Sequence, residues 1–216
     1  MTREVVAALD AVTIAATYDR LAARPEEARA GSGRDRRPDW ARRIERHVHR
    51  HEPVVELGCG RGVPVGWLLA DRYRYIGVDC SRRMIEGAGE MLPKAAFTCA
   101  DLTAVQFPAE SLGAVVAFDV LVHVPRERHA GLVADIAKWL RPGGVVVGSL
   151  TATDTPLHIE SEWCGVGPMQ WSGFDPAGNR ELLLAAGFDV IDELVDGPVA
   201  PYLPFGAHWF LARGPG

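Results

Sequence analysis

The sequence predicts an α/β domain, a parallel sheet covered by helices on both faces. Three observations carry this. Short continuous apolar runs alternate with helical periods between residues 52 and 150, the pattern of strands buried on both sides. The chain has 216 residues, which suits one large domain. Its 48% hydrophobic and 24% charged residues match a globular protein with a sizeable core.

The elements follow in order. Residues 1–23 read as a helix ending near Arg24-Pro25, and 25–39 as a Pro/Gly-containing loop. Residues 39–51, DWARRIERHVHRH, read as a basic helix with Trp40, Ile44 and Val48 toward the core. VVEL (54–57), YIGVD (75–79), AAFTCA (95–100), AVVAF (114–118) and VVVGSL (145–150) read as strands. Helices fill 63–70, the stretch capped by Ser81, and 126–140, the last closed by Pro142-Gly143-Gly144. Residues 151–174 show little periodicity. Asp175-Pro176 caps a helix over 177–186, and strands at 188–195 and 208–213 follow without a helix between, which predicts an antiparallel pair. The expected organisation is a helical cap (1–51), a core (52–150), a lid insertion (151–176) and a closing helix with hairpin (177–216).

A net charge of −5 argues against a general nucleic-acid or anionic-membrane binder. No apolar run nears the roughly 20 residues of a bilayer span, and no signal-type segment opens the chain, so the cytoplasm is expected. Cys59, Cys80, Cys99 and Cys164 show no zinc spacing and read as reduced core or pocket thiols. No metal site is expected. Nothing in the pattern assigns an oligomeric state, and a homodimer is compatible with it.

The strongest local signal is Glu56-Leu57-Gly58-Cys59-Gly60-Arg61-Gly62, between a strand and a helix. Glycines let a ligand lie against the backbone. A dinucleotide loop needs a glycine at position 63, which is Val, and Glu56 would repel a pyrophosphate while attracting an ammonium. Asp79 at the second strand end suits ribose hydroxyls. Asp101 at the third suits an adenine amino group, with Leu102 on the base. The ligand is therefore read as cationic and phosphate-free, as is S-adenosylmethionine (SAM).

VVELGCGRG, YIGVDCSRRMIEGA, ADLTAVQFPAESLGAVVAFDVLVHVP and LRPGGVVVGSL resemble, in order and spacing, the successive motifs of class I SAM-dependent methyltransferases of the small-molecule type. The tail LLLAAGFDVID…HWFLAR is similar to that family's closing helix and hairpin, and Tyr18-Asp19-Arg20-Leu21-Ala22 resembles its segment covering bound SAM. The resemblance implies a Rossmann-like, mostly parallel sheet of seven strands in the order 3-2-1-4-5-7-6, with strand 7 antiparallel. It implies that Gly58 and Gly60, with Cys59 between them, meet the methionine part. Asp79 would hold the ribose, with Cys80, Ser81 and Met84 beside the nucleoside and Phe118 beneath the methionine part. The sequence departs from the family at Gly113, where many members have Asp, and at Val122, where many have the first His of a pair.

The expected reaction is methyl transfer to O, N, S or C of a small-molecule acceptor, giving S-adenosylhomocysteine. His123 is the first candidate base and also lies beside SAM; a buried structural histidine is the alternative reading. His158 is the second candidate, and Asp119 a further polar contact. Trp163, Met169 and Trp171 are expected to wall an apolar acceptor pocket, or else to pack the insertion onto the domain. Seven arginines and three histidines between Arg34 and His51 keep an RNA or protein acceptor in view, against a plain solvated helix face. A non-catalytic SAM-binding regulator is the reading of another class.

Overall fold

The computed structural model describes residues 7–24, 35–198 and 204–216. The expected N-terminal helix over 1–23 starts later: α1 spans Ala11–Ala22, with the Asp10 carboxylate accepting the Thr13 N–H at 2.8 Å. Residues 1–6, and 25–34 of the expected loop, lie outside the described part. The basic stretch is not one helix to residue 51. It forms α2 (Arg37–Ala41) and a 3-10 turn over Arg42–Arg46. Pro38 sits in the first turn, where its missing N–H is tolerated, and residues 47–52 turn to feed the first strand. Trp40, Ile44 and Val48 are buried as expected.

The strands are β1 (Pro53–Leu57), β2 (Arg74–Asp79), β3 (Ala96–Cys99), β4 (Leu112–Ala117), β5 (Leu140–Leu150), β6 (Thr155–Glu160), β7 (Met169–Gly173), β8 (Asp189–Asp196) and β9 (Ala207–Arg213). The helices after α2 are α3 (Val65–Ala70), α4 (Arg82–Met91), α5 (His129–Trp139) and α6 (Pro176–Ala185). The main sheet runs β3-β2-β1-β4-β5-β9-β8. β1 to β5 are mutually parallel, and β9 is antiparallel to both β5 and β8. With β6 and β7 set aside, this is the order expected from the sequence.

Alternate residues of the central strands feed opposite faces. Val55, Leu57, Val115 and Val146 pack under Ile136 and Trp139 of α5 and Leu183 of α6. Val54, Val116 and Val147 pack under Trp40, Ile44 and Leu69. Each such fully buried aliphatic side chain stabilises the fold by about 1.5–3 kcal/mol.

Pro142-Gly143-Gly144 does not simply end a helix. α5 stops earlier, at Trp139, and the three residues lie inside β5, where the register against β4 shifts between Leu112 and Ala114. A bulge is a site where a sheet accommodates Pro and a positive-φ Gly. Gly113 also gains an explanation. A Cβ there would come within 2.8 Å of Glu52 Oε2, whose carboxylate receives Arg141 at 2.9 and 2.7 Å. That pairing holds the Glu52 carboxyl below its ordinary range.

The segment expected to be irregular carries an antiparallel ribbon, β6–β7. Its pattern escapes a periodicity reading because β7, Met169–Gly173, is buried on both faces. The ribbon is tied to α1: the Thr17 hydroxyl donates to the Pro168 carbonyl at 2.9 Å, the Arg20 guanidinium donates to the Val166 carbonyl, and the Leu9 N–H donates to Gln170 Oε1 at 2.6 Å. α6 begins as expected, Asp175 capping Gly178 N–H at 2.8 Å.

Candidate functional site

The chain leaves β1 at Leu57 and turns at once. The Gly58 and Cys59 N–H groups both donate to the Val78 carbonyl, at 2.7 and 3.0 Å, which pins the loop to the end of β2. Gly58 has φ +71°, and a Cβ there would lie 2.5 Å from Val120 Cβ. Gly60 has φ +53°, and a Cβ there would meet nothing within 4 Å. One glycine is demanded by packing; the other leaves bare backbone facing open space. The Gly60 N–H donates to Asp79 Oδ2 and the Ser81 N–H to Asp79 Oδ1, each at 2.9 Å. Both oxygens keep a lone pair for a further donor. Burial raises the Asp79 carboxyl above its ordinary range, against the lowering effect of these N–H groups.

Two more carboxyls share that condition. Glu56 is buried in β1, where it accepts the Tyr75 hydroxyl at 2.5 Å. Burial pushes it up to about 8, opposed by Tyr75 and by the charge of Arg37. Asp119 follows β4 at φ +56°. Ser149 Oγ receives the Asp119 N–H at 2.8 Å and donates its own proton to Asp119 Oδ1 at 2.7 Å. Burial raises this carboxyl too, and Arg37 again opposes it. Three carboxyls at the ends of β1, β2 and β4 thus sit in low dielectric, short of positive charge. A cationic ligand fits such an edge and a pyrophosphate does not.

Arg37 is the residue that sequence reasoning missed. It was grouped with a solvated basic stretch, and no spacing rule connects it to strand ends. Asp35 holds its guanidinium at 2.9 Å, and α2 packs across the sheet on the side of Glu56 and Asp119.

α1 covers this edge. Ser81 Oγ donates to Asp19 at 2.5 Å and caps α4 by accepting the Met84 N–H at 3.1 Å. The neighbouring Tyr18 hydroxyl lies 2.8 Å from His123 Nε2, and His123 Nδ1 lies 2.7 Å from the Gln170 carbonyl. A carbonyl only accepts, so Nδ1 carries the proton and Nε2 receives the Tyr18 O–H. Burial holds the imidazole at about 4, so it is neutral. Gln170 Nε2 closes the group by donating to the His123 carbonyl at 2.7 Å.

The other expected residues fall in several places. Asp101 Oδ1 accepts the Thr103 N–H and hydroxyl at 2.8 Å each, and Leu102 beside it is half-buried. Met84 and Phe118 are buried, Phe118 with its ring 5.6 Å from Trp209. All four cysteines are free. Cys59 is buried and Cys80 and Cys164 half-buried, but Cys99 is exposed rather than in the core, because β3 is an edge strand. His158 is exposed on β6, 5.9 Å from the Trp171 ring. Trp163, Met169 and Trp171 are almost fully buried with Ile14 and Leu21 of α1. They pack ribbon against helix, and the Trp171 indole N–H has no partner among the described residues.

The fold and this edge define a class, and comparison with known proteins agrees. Residues 54–144 match the methyltransferase-domain family. The chain is 37% identical over 109 residues to a trans-aconitate 2-methyltransferase from Azoarcus sp. strain BH72, covering 49% of this chain and 42% of that protein. It is 30% identical over 168 residues to a probable S-adenosylmethionine-dependent methyltransferase from Mycolicibacterium smegmatis, covering 72% and 61%. The chain thus spans about half the length of these curated relatives. A Burkholderia thailandensis 1,6-didemethyltoxoflavin-N1-methyltransferase, solved with 1,6-didemethyltoxoflavin and S-adenosylhomocysteine, superposes with a TM-score of 0.70 at 18% identity over 100% of this chain and 94% of that one. That likeness shows the fold. Residues 54–144 therefore form a methyltransferase domain, of the class I SAM-dependent kind that these relatives represent.

Proposed function

We propose that this chain transfers a methyl group from SAM to a small-molecule acceptor, releasing S-adenosylhomocysteine. The observation that carries the reading is the acid-lined edge: Asp79 held by two loop N–H groups, beside buried Glu56 and the open backbone of Gly60. Asp79 would take the ribose hydroxyls, and the Gly58–Gly60 backbone the methionine part. Glu56 would face the ammonium and Arg37 the carboxylate. Cys80, Ser81, Met84, Asp101 and Leu102 would flank the nucleoside, with Phe118 under the methionine part.

When bound, SAM supplies a methyl group already activated on a sulfonium, so the protein's task is alignment and exclusion of water. α1, with Tyr18 and Asp19, supplies the cover. His123 does not offer a free nitrogen to the acceptor, since Tyr18 occupies Nε2. If a proton must leave the acceptor, the Tyr18 oxygen takes it while the Tyr18 proton passes to His123 Nε2. An imidazole held near 4 suits an acceptor atom that becomes strongly acidic as the methyl arrives. His158 stands on the ribbon as the alternative base, and Trp163, Met169 and Trp171 shape the acceptor side from behind. The division into helical cap, SAM-binding core, lid and closing hairpin belongs to this reading.

A macromolecular acceptor loses support because part of the basic character around α2 is matched by acids. Arg36 pairs with Asp196, Arg43 with Asp192, and Glu45 with Arg72. No helix among the described residues is long and apolar enough to cross a membrane, and the free cysteines suit the reducing cytoplasm.

Calorimetry with SAM, S-adenosylhomocysteine and NAD tests the cofactor. The first two are expected to bind and NAD to fail. NAD binding with no SAM binding would overturn the reading. Methyl release from labelled SAM into small acids, trans-aconitate among them, then tests the acceptor.

A further inference from the structure

A groove lies away from the glycine loop. It encloses about 780 Å³ between α1, the start of α4 and the turn from Glu162 to Pro168 that joins β6 to β7. Ligand sites run roughly 300–1,000 Å³. Arg20, Arg24 and Arg83 line it. Among the described residues none of the three forms an ion pair with a carboxylate, in contrast to Arg36, Arg37 and Arg43 nearby in sequence.

Two of these guanidiniums are set in place by the turn. Arg20 donates to the Val166 carbonyl and, at 3.1 Å, to Thr17 Oγ1. Arg24 reaches the Gly165 carbonyl at 3.5 Å. The turn directs those carbonyls by adopting positive φ at Cys164 (52°), Gly165 (65°) and Gly167 (132°). A Cβ on Gly167 would collide with the Arg20 guanidinium, so that glycine makes room for the charge. Two acids also line the groove. Asp19 is engaged by the Ser81 hydroxyl and, at 3.1 Å, by the Arg83 N–H, and Glu162 is exposed at the rim.

We infer that this groove binds a small organic anion carrying two or more carboxylate or phosphate groups, recognised by Arg20, Arg24 and Arg83. Guanidinium forks bind either group through paired N–H donors. Two anionic groups are needed to draw on three cations against two acids. The inference stands apart from the methyl-transfer reading.

Titration calorimetry at fixed ionic strength tests it, using citrate and pyrophosphate as probes and acetate as the monovalent control. At least one polyanion is expected to bind saturably with Kd below about 1 mM, an affinity near −4 kcal/mol. An Arg24→Gln/Arg83→Gln double variant, altered at two exposed positions, should bind it at least ten-fold more weakly. Arg180→Gln, which removes a charge from the distant Glu193 pair, should bind it as the wild type does. Citrate binding alone would name carboxylates as the ligand chemistry, and pyrophosphate binding alone phosphates. Absence of saturable binding, equal binding by the double variant, acetate binding as tight as the polyanions, or stronger binding of a short RNA would each overturn the proposal. S-adenosylhomocysteine is titrated alongside. Its failure to bind wild type would sink the cofactor reading and leave the groove result standing.

Discussion

At the carboxyl edge of the sheet, Gly60 and Ser81 give two N–H groups to Asp79, and buried carboxyls are left short of cations. At the β6–β7 ribbon, Trp163, Met169 and Trp171 are buried more deeply still, yet the polar group that goes unpaired is one indole N–H. On the proposed reading the first region keeps polar groups for a ligand; the second packs one element onto another. Burial alone therefore does not mark a site. The difference lies in what the buried polar atoms lack. Ionising a carboxyl pushed up by desolvation would be eased by a nearby cation, whereas an aromatic cluster needs no such partner.

The largest expected effect tests that contrast directly. Trp171→Ala should destabilise the protein by about 3–5 kcal/mol, the range for deleting a buried aromatic. Trp171→Phe should cost about 1 kcal/mol or less, because the indole N–H it removes has no partner. Urea denaturation of both variants checks this. If the Phe variant loses as much as the Ala variant, the indole N–H has a function and the ribbon is more than packing.

Asp79→Ala comes next. It leaves two loop N–H groups without their acceptor, and SAM affinity should fall about 100-fold, or roughly 3 kcal/mol. The urea midpoint should move far less. Calorimetry and denaturation together decide it, and an unchanged Kd would remove Asp79 from the site.

The pH response should separate the regions with opposite signs. His123, lowered by burial to about 4 from an ordinary 6.5, stays neutral when folded while the unfolded chain takes up a proton. Its contribution is lost as pH falls from 6.5 toward 4, by up to about 3 kcal/mol. Glu56, raised to about 8 from 4.5, works the other way: ligand-free stability falls as pH rises from 4.5 toward 8. Glu56→Gln should flatten the limb between pH 6.5 and 8 in urea midpoints. SAM, bringing an ammonium, should bind wild type more tightly as pH rises over the same window, and Glu56→Gln should lack that slope. Asp79 and Asp119, also raised by burial, act in the same sense.

The smallest effect belongs to His158→Ala. This exposed side chain should change stability by no more than about 0.5 kcal/mol. If methyl transfer nevertheless collapses in that variant, the proton relay runs through His158 and not through Tyr18 and His123.

The strand alternation, the glycine loop, the caps at Ser81 and Asp175 and the antiparallel finish were legible because each rests on neighbours in sequence. Glu56, Asp79 and Asp101 were legible because parallel strands put their ends on one edge. The buried ribbon was not: a strand covered on both faces, flanked by glycines, carries no period. Nor was the reach of Arg37 toward Glu56 and Asp119, or the Tyr18–His123–Gln170 chain, whose members stand 105 and 47 residues apart.

By itself the sequence determined the sheet, its order through family likeness, and the acids along its edge. Only the tertiary structure decided which nitrogen of His123 carries the proton, which arginines are matched to acids and which of the others line a groove. Backbone propensity and side-chain alternation are local and survive in one dimension. Burial, counter-charge and tautomer depend on what arrives from elsewhere in the chain, and that is settled only when it packs.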